Sequence, residues 1–448
     1  MDKHLLALAL SVGITTGVVG AGLWYFLSPR SVQLVSTGQT LLISPRDSAA
    51  QLLKEQGAAA IQRQEFGAAI DQFRAALKVK PNDPETRIYL TNAEILAKTK
   101  PLAIVGVSVP IGGNLNVAQE ILRGVAQAQL EFKQAGVAIQ LLIGDDANQN
   151  DRAQAIAQQF SQNPQVMAVV GHNTSDVTLA AAPIYQQSGL VMVSPTATAN
   201  ALSGFGSFIF RTAPSVKVQA NSLARYAFRT NHQKFGICFS SQSASTRSLR
   251  DEFQGTVFAE GGKVSNVPCD LAAPGFEPTQ VIQAFRQDQV QGILLAPGVE
   301  TIDQGVAIAQ AAGGRFLLLT DTTLYTFRTL QGGASLRGLV LAVPWHPGAS
   351  LPGSFAARAL GLWGGNVNWR SASAYDAFSA IATGLRESKF QSRSALQQVM
   401  IEDRFRAPAS QGQLSFQASG DRVASVTLIQ VQPGAKSGTG YDFVKLDF

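Results

Sequence analysis

The chain has few of the residues that make and break bonds. Only two cysteines, Cys238 and Cys269, and four histidines occur in 448 residues, which excludes a cysteine-ligated zinc cluster and a dense disulfide framework. No GxSxG stretch, no GxxxxGK followed by Ser or Thr, and no HExxH is present. The hydrolase elbow, the phosphate loop and the zinc-protease helix are therefore all missing, and an enzyme is not expected. Charge is also scarce. With 15% charged residues and a net charge of +6 spread without a basic stripe, the chain lacks the footprint of a nucleic-acid groove. A hydrophobic share of 46% excludes disorder, and the length points to two or three compact units.

What is abundant is apolar sequence in patterned runs. Leu5 to Leu27 (LLALALSVGITTGVVGAGLWYFL) is uncharged over roughly 23 residues, enough to span a hydrocarbon core as a helix. It leaves through Trp24, Tyr25 and Phe26 rather than a small-x-small cleavage site, so an uncleaved membrane anchor over 1–30 is expected, followed by a linker over 31–47. Residues 48–98 carry apolar positions at three and four spacings and read as helices. Leu53, Gly57, Ala60, Ala69, Phe73, Ala76 and Pro81 fall where a tetratricopeptide unit of about 34 residues puts its large, small and helix-ending residues. One such unit cannot bury its own face, so it needs the main domain, a second copy or another protein to pack on. A spacer and a docking module for a protein partner both fit.

After Lys100 strands and helices alternate. LAIVGVSV, VAIQLLIGDD, VMAVVG and GLVMVSP form one series, and KFGICFS, GKVSNVPC, GILLAPG and RFLLLTD form another. Two series of parallel strands with covering helices imply two α/β lobes. Cys238 and Cys269 lie on strands one βαβ step apart, so a bridge is open to them, although buried free thiols are the favoured reading. In such sheets ligands bind beyond the strands' carboxyl ends. There GHNTSD offers Thr174 or Ser175 as a helix cap, SPTAT offers Thr196 and Thr198, and Asp321 follows RFLLLT. Backbone amides and hydroxyls suit a carboxylate, and an aspartate suits an ammonium group.

In order along 101–448, four segments resemble the type I periplasmic substrate-binding proteins, specifically the leucine/isoleucine/valine-binding class of ABC importers. They are VGHNTSDVTLAAAPIYQQSGLVMVSPTATA, FGSFIFRTAPS, SAYDAFSAIATGL and GQLSFQASGDRVAS. The resemblance implies two α/β lobes joined by three crossings, one lobe over 101–220 plus 346–412 and the other over 221–345 plus 413–448. It also implies that Ser175, Thr198 and the backbone carbonyl of Thr196 hold an amino acid's charged groups, that Asp321 completes the ammonium site, and that Thr174 and Ser245 line the same pocket.

Departures from the family pattern bear on the ligand. Val117, Ser245 and the Pro297–Gly298 pair stand where relatives often place aromatic residues, so a pocket without aromatic walls is expected, and the family's first-lobe cysteine pair is absent. Asp145, Asp146 and His172 lie near the crevice and read as structural rather than metal-binding residues. The expected protein is a membrane-tethered solute-binding protein that hands a small amino-acid-like ligand to an ABC permease from the periplasmic side, without cofactor or metal. The alternative is a ligand-sensing receptor or scaffold that signals through the anchor and the helical module.

Overall fold

The computed structural model describes residues 34–43, 49–348 and 351–447. The expected anchor Leu5–Leu27 lies outside them, and no helix among the described residues is long and apolar enough to cross a membrane. The first sheet is built from β1 (Val35–Ser36), β2 (Ala103–Val109), β3 (Ile139–Asp145), β4 (Val166–Val170), β5 (Val191–Ser194) and β6 (Ile209–Arg211), in the spatial order β1-β3-β2-β4-β5-β6. Every pairing is parallel except that of β1 with β3. All seven residues of β2, AIVGVSV, are buried, because helices cover both faces of the sheet. Gly106 is required at its centre. A Cβ there would lie 2.7 Å from the Phe160 ring, which packs against the strand.

The second sheet contains β7 (Lys234–Phe239), β8 (Lys263–Val264), β9 (Gly292–Ala296), β10 (Leu317–Thr320) and β11 (Val340–Val343). A small ribbon, β12 (Ala407–Pro408) and β13 (Gln413–Leu414), follows, and β14 (Thr427–Pro433) and β15 (Tyr441–Lys445) then close the second sheet in the order β15-β14-β11-β10-β9-β7-β8. The chain passes between the lobes near 212–215, between β11 and the helix Phe355–Trp363, and between β13 and β14. The helix Val216–Arg229 packs against β11 and the helix Ala244–Ala259 of the second lobe, so the expected boundary at 220 moves to the loop before Val216. The expectation of free thiols is also corrected. Cys238 and Cys269 form a disulfide. The segment after β8 returns beside β7, where the Phe239 N–H donates to the Cys269 carbonyl at 3.1 Å, and sequence spacing carries no sign of that return.

Three helices, Ala49–Gln62, Phe66–Val79 and Pro84–Leu96, precede the first lobe. Phe73 fills the space that Gly57 leaves, since a Cβ at Gly57 would stand 2.5 Å from its ring. The third helix packs on the helix Leu115–Gln134 and on β3, and the Lys133–Glu94 ion pair joins the two helices. Inside the module Lys54 is buried with its ammonium 2.9 Å from both Asp83 and Glu85. Glu85 in turn accepts the N–H groups of Leu42 and Ile43 at 2.7 and 3.1 Å, which anchors the extended segment leading from β1.

The edge of β3 shows why this packing is tight. An open strand edge leaves backbone groups unpaired. β1 pairs with Ile143 and Gly144 only, and Asn92 takes the next position as a side-chain substitute for a strand. Its amide accepts from the Leu141 N–H at 3.0 Å and donates to the Leu141 carbonyl at 2.8 Å. Replacing Asn92 by Ala leaves both buried groups unpaired and is expected to destabilise the full-length chain by about 2 to 4 kcal/mol. Urea unfolding checks this, and a loss under about 1 kcal/mol would show that water reaches the edge.

Candidate functional site

The switch points of the two sheets lie between β2 and β4 and between β7 and β9, where the chain leaves adjacent strands in opposite directions. Loops diverge there and leave a crevice. A cavity of about 920 Å³ lies between the lobes, and loops from the carboxyl ends of β2, β4, β5, β7, β9 and β10 line it. Thr174, Ser175, Thr196, Thr198, Ser245 and Asp321 are all brought to its wall. Val117 and Gly298 line it as well.

On the first lobe, Thr174 is the cap of the helix Ser175–Gln187, with its oxygen 3.5 Å from the Val177 N–H. Ser175 opens that helix, and its hydroxyl oxygen accepts from the N–H groups of Thr198 and Ala199 at 3.0 and 3.1 Å. With both lone pairs engaged, that hydroxyl is left to act as a donor. The Thr196 hydroxyl donates to the Asn173 carbonyl at 2.7 Å, and no N–H among the described residues donates to the Thr196 carbonyl. His172 is satisfied internally, with Nδ1 at 2.7 Å from Asp146 and Nε2 at 3.1 Å from the Tyr185 hydroxyl. Asp145 holds the Gly112 and Ala147 N–H groups and Arg152.

On the second lobe, Asp321 caps the turn Thr322–Leu324 and accepts from the Thr323 N–H at 2.9 Å. It is only 2% exposed, and burial raises its pKa to about 6 against the pull of the Thr323 hydrogen bonds and of Arg370. One carboxylate therefore both finishes a local turn and faces the cavity. Ser245 pairs its hydroxyl with that of Ser243 at 3.1 Å.

The expectation of a pocket without aromatic walls is corrected. Tyr325, Phe327 and Trp369 line the cavity. They come from the loop after Asp321 and from the start of the helix Trp369–Glu387, not from the aligned positions at Val117, Ser245 and Pro297–Gly298. Sequence reasoning also missed Glu120 and Arg370. The available signal was the stretch NWRSASAYD, in which a capping Asn precedes a tryptophan and an arginine at the mouth of a helix. Glu120 accepts from Arg123, from the Ser371 hydroxyl at 2.6 Å and from the Asn368 N–H at 3.2 Å, which fixes where that helix begins. Gly124 permits the close crossing, since a Cβ there would stand 2.0 Å from the Ser371 carbonyl.

The lobes touch beside the cavity as well as at the crossings. The Ala244 N–H, at the start of a second-lobe helix, donates to Asp176 of the first lobe at 3.1 Å. The buried Arg211 donates to Asp421 at 2.6 Å, to the Ala199 carbonyl at 2.7 Å and to the Ser203 hydroxyl at 2.6 Å. Asp376 takes Arg422 at 2.6 Å.

A family model described as periplasmic binding protein matches residues 104–438. The chain belongs to that family. It is a binding protein and not an enzyme. An amino acid binding protein of Pseudomonas aeruginosa is 31% identical over 100 residues, 21% of this chain and 27% of that protein. The Leu/Ile/Val-binding protein BraC3 of Rhizobium johnstonii is 26% identical over 177 residues, 38% of this chain and 47% of its own. The chain thus spans about a quarter to a half of the length of these curated relatives. An ABC transporter substrate-binding protein of Sphaerobacter thermophilus superposes with a TM-score of 0.67 at 18% identity, over 78% of this chain and 97% of that one. One from Desulfitobacterium hafniense gives 0.64 at 23% identity, over 77% and 99%. These two establish the two-lobed fold.

The electrostatics of Asp321 make a test. Its folded pKa lies above the ordinary value of 3.8, so the stability it contributes is complete below that value and lost as pH rises through about 6. Above pH 6 the ionised carboxylate destabilises the ligand-free protein by about 3 kcal/mol. Asp321→Asn is therefore expected to raise the thermal midpoint at pH 8 while leaving it little changed at pH 4. Equal shifts at both pH values would show that Asp321 does not carry this charge.

Proposed function

We propose that this protein is the solute-binding subunit of an ABC importer and that its lobes close on a small amino-acid-like ligand. The observation that carries the reading is the pairing, across one interlobe cavity, of a donor-rich first-lobe wall with the buried acid Asp321. The Ser175 hydroxyl, the free first-turn amides of its helix and the Thr198 hydroxyl receive the ligand's carboxylate. The Thr196 carbonyl and Asp321 receive its ammonium group. Closure then removes water from both charges, which strengthens the charge-assisted hydrogen bonds. Thr174 and Ser245 border the same space. Relatives and structural neighbours named for amino acid or Leu/Ile/Val binding support the ligand class, and one neighbour from Desulfitobacterium hafniense was solved with Leu.

The binding domain is placed outside the cytoplasm, in keeping with the family and with the Cys238–Cys269 disulfide, which a reducing cytosol would not maintain. The apolar run Leu5–Leu27 tethers it to a membrane, and an ABC permease receives the ligand. The tetratricopeptide-like helices over 48–98 offer a face to a further protein partner.

One contact favours a second reading, a receptor that reports ligand through the helical module. Arg123 donates to Asn82 in the module's turn at 2.6 Å and also to Glu120 in the cavity wall. Genes for a permease and an ATPase beside this one support transport, and a kinase or cyclase gene supports sensing.

Calorimetry of the full-length chain against a panel of amino acids tests the binding reading. At least one is expected to bind with micromolar affinity or better, and Asp321→Ala is expected to weaken it at least about tenfold. Silence across the panel would remove the amino-acid reading.

A further inference from the structure

The cavity wall contains more positive charge than a simple zwitterion uses. Of the cationic groups lining it, Arg123 is engaged by Glu120 and Asn82, and Arg328 by Asp303. Arg370 is different. It is the second residue of the helix Trp369–Glu387, and its guanidinium lies 4.7 Å from the centre of the Trp369 ring. Among the described residues that guanidinium makes no hydrogen bond and no ion pair. Burial lowers its pKa to about 10 against the attraction of Glu120, Asp321 and Tyr325, so it remains charged at neutral pH.

The wall also carries a buried carboxylate in Asp321, on the opposite lobe, which attracts Arg370 but makes no ion pair among the described residues. The two groups impose different requirements. Asp321 needs one compact cation, which an ammonium group supplies. Arg370 presents five N–H donors in a planar fork, which a carboxylate matches with two parallel hydrogen bonds. The carboxylate next to a ligand's ammonium is already received by Ser175 and the helix amides in the proposed function. An aliphatic side chain such as that of leucine would close the lobes over a guanidinium whose charge Glu120 and Asp321 attract but whose N–H donors have no acceptor among the described residues, an arrangement that burial disfavours.

We infer that the ligand carries a second acidic group, held by Arg370, and belongs to the acidic amino acids rather than the branched-chain ones. This rests on the binding reading above. The ammonium group sits between two carboxylates, with Asp321 facing it from the second lobe and first-lobe groups holding both acids. Trp369 backs the guanidinium, limits its rotamers and leaves its donors directed at the ligand. The cavity of about 920 Å³ accommodates chains of glutamate length and longer.

The test measures binding to the full-length chain at pH 7.5 for glutamate, 2-aminoadipate, glutamine and leucine, with Arg370→Gln and Arg370→Lys beside the unaltered protein. Glutamate or 2-aminoadipate is expected to bind at least about tenfold tighter than glutamine, which has nearly the same shape without the charge. Arg370→Gln is expected to abolish that preference by weakening the acids at least about tenfold more than glutamine, while Arg370→Lys retains part of it. Thermal midpoints of the ligand-free variants confirm that both fold, and should Arg370→Gln not fold, the Lys variant must still show a reduced preference. Leucine or glutamine binding as tightly as the acids would overturn this inference and leave the binding reading standing. Loss of acidic and neutral ligands alike in Arg370→Gln would also overturn it, since Arg370 would then act by steadying Asp321. If no panel member binds, both the binding reading and this inference fail.

Discussion

Arg211 sits where the third crossing meets the loop that follows β5, and its buried guanidinium joins the two. It reaches Asp421 on the third crossing, the Ala199 carbonyl at the end of the SPTAT loop and Ser203 beyond it. An arginine can do this because its donors form a rigid fork, and burial makes each partner obligatory. The backbone follows the same path, with the Arg211 N–H donating to the Gly420 carbonyl at 3.0 Å. Gly420 has a positive φ of 79°, and a Cβ there would stand 2.1 Å from the Ile209 carbonyl, so this approach needs glycine. The cavity wall depends on this knot, because the loop that carries Thr196 and Thr198 is held at its carboxyl end by both Ser175 and Arg211, which meet it at Thr198 and Ala199.

The segments that resemble the substrate-binding family take on physical roles at this place. FRT supplies Arg211, the GDR run supplies Gly420, Asp421 and Arg422, and the Tyr-Asp helix supplies Asp376, which accepts from Arg422 and from the Ser410 N–H. These residues hold the crossings and touch no proposed ligand group. The cavity-lining residues instead occupy loop positions that turn and cap residues commonly fill. Thr174, Ser175 and Asp321 each do a local structural job as well as lining the cavity, and for that reason a sequence pattern cannot separate the two roles.

The helical segment before the first lobe is not an independent body. Its third helix, the Asn92 side chain on the β3 edge and the Lys133–Glu94 pair make it part of the first lobe's outer surface. The patterned small residues were visible in the sequence, and the packing of Phe73 against Gly57 follows from them. The surface they pack on was not visible, because nothing in a helical period records which sheet edge lies open beside it.

Strand and helix alternation, the polar ends of the strands and the order of motifs were determined by local sequence, since periodicity and capping are set by residues a few positions apart. So were the two lobes and the side of each sheet on which the cavity opens. Tertiary structure alone decided that Cys238 meets Cys269, that Tyr325 and Trp369 supply aromatic walls where the aligned positions had none, and that Arg370 and Asp321 line one cavity. Each of these joins residues on separate elements, and their proximity comes from how helices cross and chains return to a sheet, a relation that no short window of sequence contains.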